Sequence, residues 1–209
     1  MEEISIPNPN ELLKLSQSLA LLDAIICPEW EYRYFSFNSK WSSSEKMASM
    51  RDGEGSDYFI LWGPSYCAIK AKYSDSSNEY VAKFEPSINV QMPDELIVLF
   101  VNELAFSMQD ASFIYWYDFT KHFWIKALVE KQGEDGSIKL LQWFINSAYT
   151  YKEWADDYYE ISLDLEICKK IFDHAPLTET EVKAINKDID FSLLSNEISE
   201  IGYPPLLDS

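Results

Sequence analysis

The stretch from residue 29 to residue 73 narrows the possible folds most, because three aromatic-rich apolar runs are separated there only by short turn-forming segments. Glu29–Asn38 places Trp30, Tyr32 and Tyr34, then Phe35 and Phe37, in near-alternation with polar residues, the pattern of a half-buried strand. Tyr58–Trp62 and Tyr66–Tyr73 are two further runs, joined across Gly63-Pro64-Ser65. A glycine and a proline between two β-forming runs mark a hairpin, so residues 29–73 are expected to form an antiparallel meander. Ser112–Tyr117 and His122–Val129 predict another strand pair around Asp118-Phe-Thr-Lys121.

Helical signals flank the meander. Asn8-Pro9-Asn10-Glu11 offers a capping side chain, a proline at the first helical position and an acid three residues after the cap, followed by leucines at 12, 15, 19 and 22. A helix is expected over 9–26 and is stopped by Pro28. Pro93-Asp94-Glu95 predicts a second helix to about Leu104. Further helices are expected at about 137–146, 151–160, 164–174 and 179–187, with Thr150…Glu153 and Thr178…Glu181 as capping boxes. The tail from Gly202, with Pro204 and Pro205, ends the helical pattern and is expected to dock or fray. The expectation is one α+β domain spanning 1–209: an antiparallel β meander with an N-terminal helix and a helical, acidic C-terminal third, about 137–200.

Composition excludes several functions. The net charge is −18, which opposes binding to nucleic acid or to anionic membranes, since both require clustered Lys and Arg. Residues 150–209 hold 14 acidic and 5 basic residues, net −9, half of the total. Cys27, Cys67 and Cys168 are odd in number and widely spaced, so neither a disulfide framework nor a zinc cluster is indicated. The N-terminus opens with two acids, and the longest apolar run, Leu96–Val101, is too short for a bilayer, which together predict a cytoplasmic protein.

The candidate motifs for chemistry are incomplete. Neither phosphate-binding glycine pattern is present, and His122 and His174 stand far apart without metal-ligand spacing. No cofactor, metal or catalytic residue is therefore assigned. Asp52-Gly-Glu-Gly-Ser-Asp57 partly matches a calcium-binding turn, but such turns work in stacked arrays and this one occurs once, so it reads as a hairpin loop. Glu29 and Glu31, two apart on the expected strand, would present carboxylates on one face beside Arg33, the ingredients of an enzyme or carbohydrate-binding cleft lined by aromatic residues.

The segment 151–160 is the best candidate binding element. Helical spacing places Tyr151, Trp154 and Tyr158 on one face, expected in the core. Glu153, Asp156, Asp157 and Glu160 fall on the other, beside Tyr159, expected to be exposed. Carboxylates beside an aromatic ring suit a basic protein partner, with the ring as anchor. A regulatory or structural adaptor, including a homo-oligomer, is the remaining alternative.

Trp30-Glu-Tyr-Arg-Tyr-Phe-Ser-Phe-Asn-Ser-Lys-Trp41 and Met47-Ala-Ser-Met-Arg-Asp-Gly-Glu-Gly-Ser-Asp-Tyr-Phe-Ile-Leu61 resemble an uncharacterised family of bacterial cytosolic proteins. Glu103–Asp110, Tyr151–Ala155 and Pro176–Thr180 fit the same pattern, so the resemblance covers about residues 20–186. It implies a bacterial, cytosolic, single-unit protein and transfers no catalytic residue. Small acidic bacterial proteins of this kind resemble immunity proteins, which neutralise a toxin by binding it.

Overall fold

A computed structural model of the protein describes residues 5–74, 93, 96, 103, 106, 111–126, 135–145 and 147–207. The architecture is α+β, with an N-terminal helix, a six-stranded antiparallel sheet and a helical C-terminal part. Helix α1 runs Pro9–Ile26, where the expected caps place it. Asn8 Oδ1 accepts from the backbone N–H groups of Asn10 and Glu11 at 3.0 and 3.1 Å, satisfying two of the donors that a helix start leaves open.

The strands β1 (Phe35–Asn38), β2 (Lys46–Arg51), β3 (Asp57–Trp62), β4 (Cys67–Lys72), β5 (Phe113–Asp118) and β6 (Phe123–Lys126) lie in chain order, each antiparallel to the next. The register lines up Phe37, Ala48, Ile60, Ile69 and Tyr115 as one cross-strand row. That row belongs to the main core, which also takes in α1 and the C-terminal helices. The neighbouring residues Phe59, Leu61, Ala68 and Ile114 point to the opposite face, as strand alternation demands, and pack with Leu96, Phe106 and Ala111. Both faces of the sheet are therefore covered, which is why β3 reads as a continuous apolar run. The helix expected at 93–104 lies outside the described residues, apart from Pro93, Leu96 and Glu103.

The C-terminal part holds α2 (Ser137–Leu141), a 3₁₀ turn Gln142–Phe144, α3 (Ser147–Tyr158), α4 (Leu165–Phe172), α5 (Glu179–Ile185) and α6 (Phe191–Ile201). Helix α1 is held between this layer and the sheet, and so its residues 16–25 are all buried. The Thr178–Glu181 capping box is formed as expected. The Thr150 box is not: α3 begins at Ser147, and the Thr150 hydroxyl donates instead to Ile145 O at 3.1 Å. The tail docks, with Tyr203 buried and the Leu207 N–H donating to Leu177 O at 2.8 Å.

The expected strand Glu29–Asn38 is shorter than its pattern. Trp30–Tyr32 forms a 3₁₀ turn and only Phe35–Asn38 joins the sheet. The cause is Arg33, whose side chain is buried and faces back along the chain. Its Nε donates to Cys27 O at 2.8 Å and its Nη2 to Pro28 O at 2.6 Å, while Nη1 pairs with Glu197 of α6 at 2.6 Å. A charge-assisted fork closing on the end of α1 curls residues 28–33 into a turn.

Candidate functional site

Three segments meet at one edge of the molecule. The Arg51 N–H donates to Tyr34 O at 2.9 Å, which ties the residue after the turn 29–33 to the end of β2, where the β2–β3 loop begins. The Tyr34 ring in turn lies 4.7 Å from that of Trp154 and 5.8 Å from that of Tyr158, which joins both to α3. Burial pushes the Tyr34 hydroxyl pKa up, and the nearby Asp52, Tyr158 and Glu54 push it further. Tyr158 borders this junction, 50% exposed, and Trp30 and Tyr32, 56% and 66% exposed, lie on the turn that leads into Tyr34, far more open than rings of that size in a closed core. Glu29 and Glu31 beside and within that turn, Glu54 in the β2–β3 loop, and Glu153, Asp157 and Glu160 on or just after α3 are exposed. The Arg51 guanidinium lies 5.7 Å from the Trp30 ring centre, within cation–π range.

Helix α3 differs from the expected arrangement by one residue at its end. Tyr151 is fully buried and Trp154 partly so, but Tyr158, expected in the core, is exposed. Tyr159, expected outside, packs against the core, and its hydroxyl is buried without a partner at hydrogen-bond geometry. The helix end explains the exchange. Glu160 takes a left-handed conformation (φ 53°) and the Ile161 N–H closes back to Asp156 O at 3.2 Å, a chain reversal that turns Tyr159 inward.

Asp156 is also committed to the fold. Its Oδ1 accepts from the Leu163 N–H at 2.8 Å and its Oδ2 pairs with Lys152 of the same helix. These bonds lower its pKa against the opposing effect of burial. Of the five residues singled out from the sequence, Glu153, Asp157 and Glu160 face solvent, whereas Asp156 and Tyr159 act structurally. Trp30, Tyr32 and Tyr158 were hidden from sequence reasoning because strand and helix patterns assigned each a different environment.

Beneath α3 lies a carboxylate with no counter-ion. Asp23 of α1 is fully buried; its Oδ2 accepts from the Phe35 N–H at 2.7 Å and its Oδ1 from the Tyr151 hydroxyl at 2.6 Å. Burial raises its pKa to about 6, against the lowering effect of these donors. The Tyr151 ring lies 5.4 Å from Trp154, which stacks on Tyr158 at 4.9 Å. The buried carboxylate is thus linked through packed rings to the exposed surface.

Other sequence candidates have structural roles. Glu29 flanks and Glu31 occupies the 3₁₀ turn, so the two do not share a strand face as expected. The Asp52–Asp57 segment is the β2–β3 hairpin loop: Asp52 Oδ1 accepts from the N–H groups of Glu54 and Ser56 at 2.8 and 2.9 Å. Asp57 pairs with the buried Lys70 at 3.0 Å. His174 ends α4 in a left-handed conformation (φ 61°), and its Nε2 lies 3.1 Å from Gln17 Oε1. Among the described residues no group of three His, Cys, Asp or Glu side chains is placed to hold a metal ion, and no helix is long and apolar enough to cross a membrane. Neither a protein-family model, nor a curated protein, nor a solved structure matches the chain.

Proposed function

We propose that this protein acts by binding a basic protein partner, with the surface built from residues 29–32, the β2–β3 loop and the outer side of α3 as its recognition site. One observation carries the reading: Tyr158 is half exposed beside Tyr34 where α3 meets the β2–β3 loop, and Trp30 and Tyr32 are exposed on the turn that leads into Tyr34, in segments that also carry exposed carboxylates. Half-exposed aromatic rings supply contact area and anchoring at little entropic cost, and the carboxylates supply orientation and association rate. The net charge of −18 favours encounter with a cationic surface. The most concrete form of the reading is a non-enzymatic, immunity-type inhibitor that neutralises a basic toxin in a bacterial cytoplasm. The alternative of a carboxylate cleft is the weaker one, since Glu29 and Glu31 sit on an exposed turn.

The test begins with capture of the partner from native lysate, followed by calorimetry on the purified pair. Charge reversal of Glu153, Asp157 and Glu160 to Lys, leaving Asp156 in place for the fold, is expected to weaken binding at least about tenfold. Trp30→Ala and Tyr158→Ala should each weaken it further at high salt, where the charge contribution is screened. Unchanged affinity in all three variants would remove this surface from the account.

A further inference from the structure

Asp23 occupies a position that the proposed binding does not explain. A fully buried carboxylate on a central helix normally finds a cation, because ionisation away from water is costly. Both oxygens of Asp23 instead meet neutral donors, one from β1 (Phe35 N–H) and one from α3 (Tyr151 hydroxyl). Arg33 on the adjoining turn directs its guanidinium to Cys27 O, Pro28 O and Glu197. The titratable groups facing the carboxylate are Tyr34 and Tyr58 from the sheet side, Tyr151 and Tyr159 from α3 and its end, and Cys27 just past the end of its own helix. Each of these has its pKa raised, so each stays neutral through the acid and neutral range. The buried Tyr159 hydroxyl and the Tyr34 N–H also face the carboxylate and, as donors, favour its ionised form against the effect of burial.

We propose that Asp23 is a protonation switch that sets how firmly α3 is held against α1 and β1. When protonated, the group is neutral in a neutral site and α3 docks tightly. When ionised, it is a fully buried charge held by neutral donors with no cation beside it, and the structure gains by letting α3 lift and admit water. The sign follows from the raised pKa. The folded state takes up the proton at about 6, above the ordinary value of 3.8. The contribution of this group to docking is therefore complete below about 3.8 and is lost as the pH rises through 6. This is the reverse of a salt-bridged carboxylate. The switch acts on the helix that carries Glu153, Asp157 and Tyr158, but it requires no partner, so it stands or fails independently of the proposed binding.

The experiment is a pH series on the whole protein with two readouts. Carbonyl-carbon NMR follows the Asp23 carboxyl directly, and the expected midpoint is near 6. Amide exchange follows α3, with intrinsic exchange rates factored out. Linkage between 3.8 and about 6 predicts about tenfold greater protection of the Tyr151–Tyr159 amides at pH 5 than at pH 7.5. In Asp23→Asn, which stays neutral, that difference should vanish. Tyr151→Phe keeps the ring and removes one donor to the carboxylate, so its Asp23 midpoint should move upward; this variant stands in if Asp23→Asn does not fold. An Asp23 midpoint at or below the ordinary carboxylate range, or the same pH dependence of α3 exchange in wild type and Asp23→Asn, overturns the proposal.

Discussion

Replacing Arg33 with Ala tests the clamp that ends α1 and curls the turn 28–33. The guanidinium is almost fully buried, with its side chain 4% exposed, and makes three hydrogen bonds, to Cys27 O, Pro28 O and Glu197. Breaking a buried ion pair costs about 3–5 kcal/mol when the remaining charge is trapped. Glu197 is 31% exposed and can turn to water, so its share falls to about 1 kcal/mol. Two backbone carbonyls at the helix end lose charged donors, at about 1 kcal/mol each when water replaces them imperfectly. The expected loss is about 3 kcal/mol, and Glu197→Ala should cost a similar amount, because it leaves the buried guanidinium charged with only its two carbonyl acceptors. Arg33→Lys should cost less than Arg33→Ala, since a single ammonium keeps the charge but cannot reproduce the fork. Urea denaturation followed by tryptophan fluorescence measures all three, and the double variant Arg33→Ala/Glu197→Ala separates the pair from the carbonyl contribution. A loss below about 1 kcal/mol for Arg33→Ala would refute the clamp.

Other expectations follow from the same packing. Trp154→Ala should cost about 2–4 kcal/mol, because the ring contacts Tyr34, Phe35, Trp143, Tyr151 and Tyr158, while exposed Trp30→Ala should cost less than about 1, both by chemical denaturation. Gly136→Ala places a Cβ in the Tyr73 ring at a left-handed position (φ 75°), and a loss of at least about 2 kcal/mol is expected; a neutral result would mean that the Tyr73 ring is elsewhere. Calcium is expected not to bind at Asp52–Asp57, since Asp52 caps the loop and Asp57 is paired with Lys70; a saturable calorimetric heat abolished by Asp52→Ala would contradict this.

Local signals were legible wherever the cause of an element is local. Asn8 and Pro9 start α1, Gly63-Pro64 turns β3 into β4, and Thr178 with Glu181 starts α5, all as the residues predict. Elements decided by distant contacts were not legible. The Glu29–Asn38 pattern is strand-like, yet Arg33 bends its first half by reaching Cys27 O, Pro28 O and Glu197. Strand β2, Lys46-Met-Ala-Ser-Met-Arg51, has weak strand propensity and is held by pairing with β1 and β3 on both sides. Helix α6 carries its signals in Asp190, in Leu194, Ile198 and Ile201, and in Gly202, at the end of the expected helical third. The acidic character of α3 was readable, and so were Glu153, Asp157 and Glu160 as its outer residues. The aromatic part of the site was not, because the exposure of Trp30, Tyr32 and Tyr158 depends on where the turn and the helix end.

Recognition of a basic partner by the junction of residues 29–32, the β2–β3 loop and α3 is tested most directly by comparing two charge reversals against the captured partner. One set is Glu153, Asp157 and Glu160 to Lys on α3; the control set, of equal charge change, is Glu179, Asp188 and Glu200 to Lys, exposed carboxylates placed on or beside α5 and α6. Titration calorimetry at low and physiological salt gives the affinities, and thermal unfolding confirms that both variants fold. The expected result is a loss of at least about tenfold for the α3 set and less than about threefold for the control set, with the difference shrinking as salt rises. Equal losses would reduce the recognition to net charge, and a loss confined to the control set would place the interface on the other side of the helical layer.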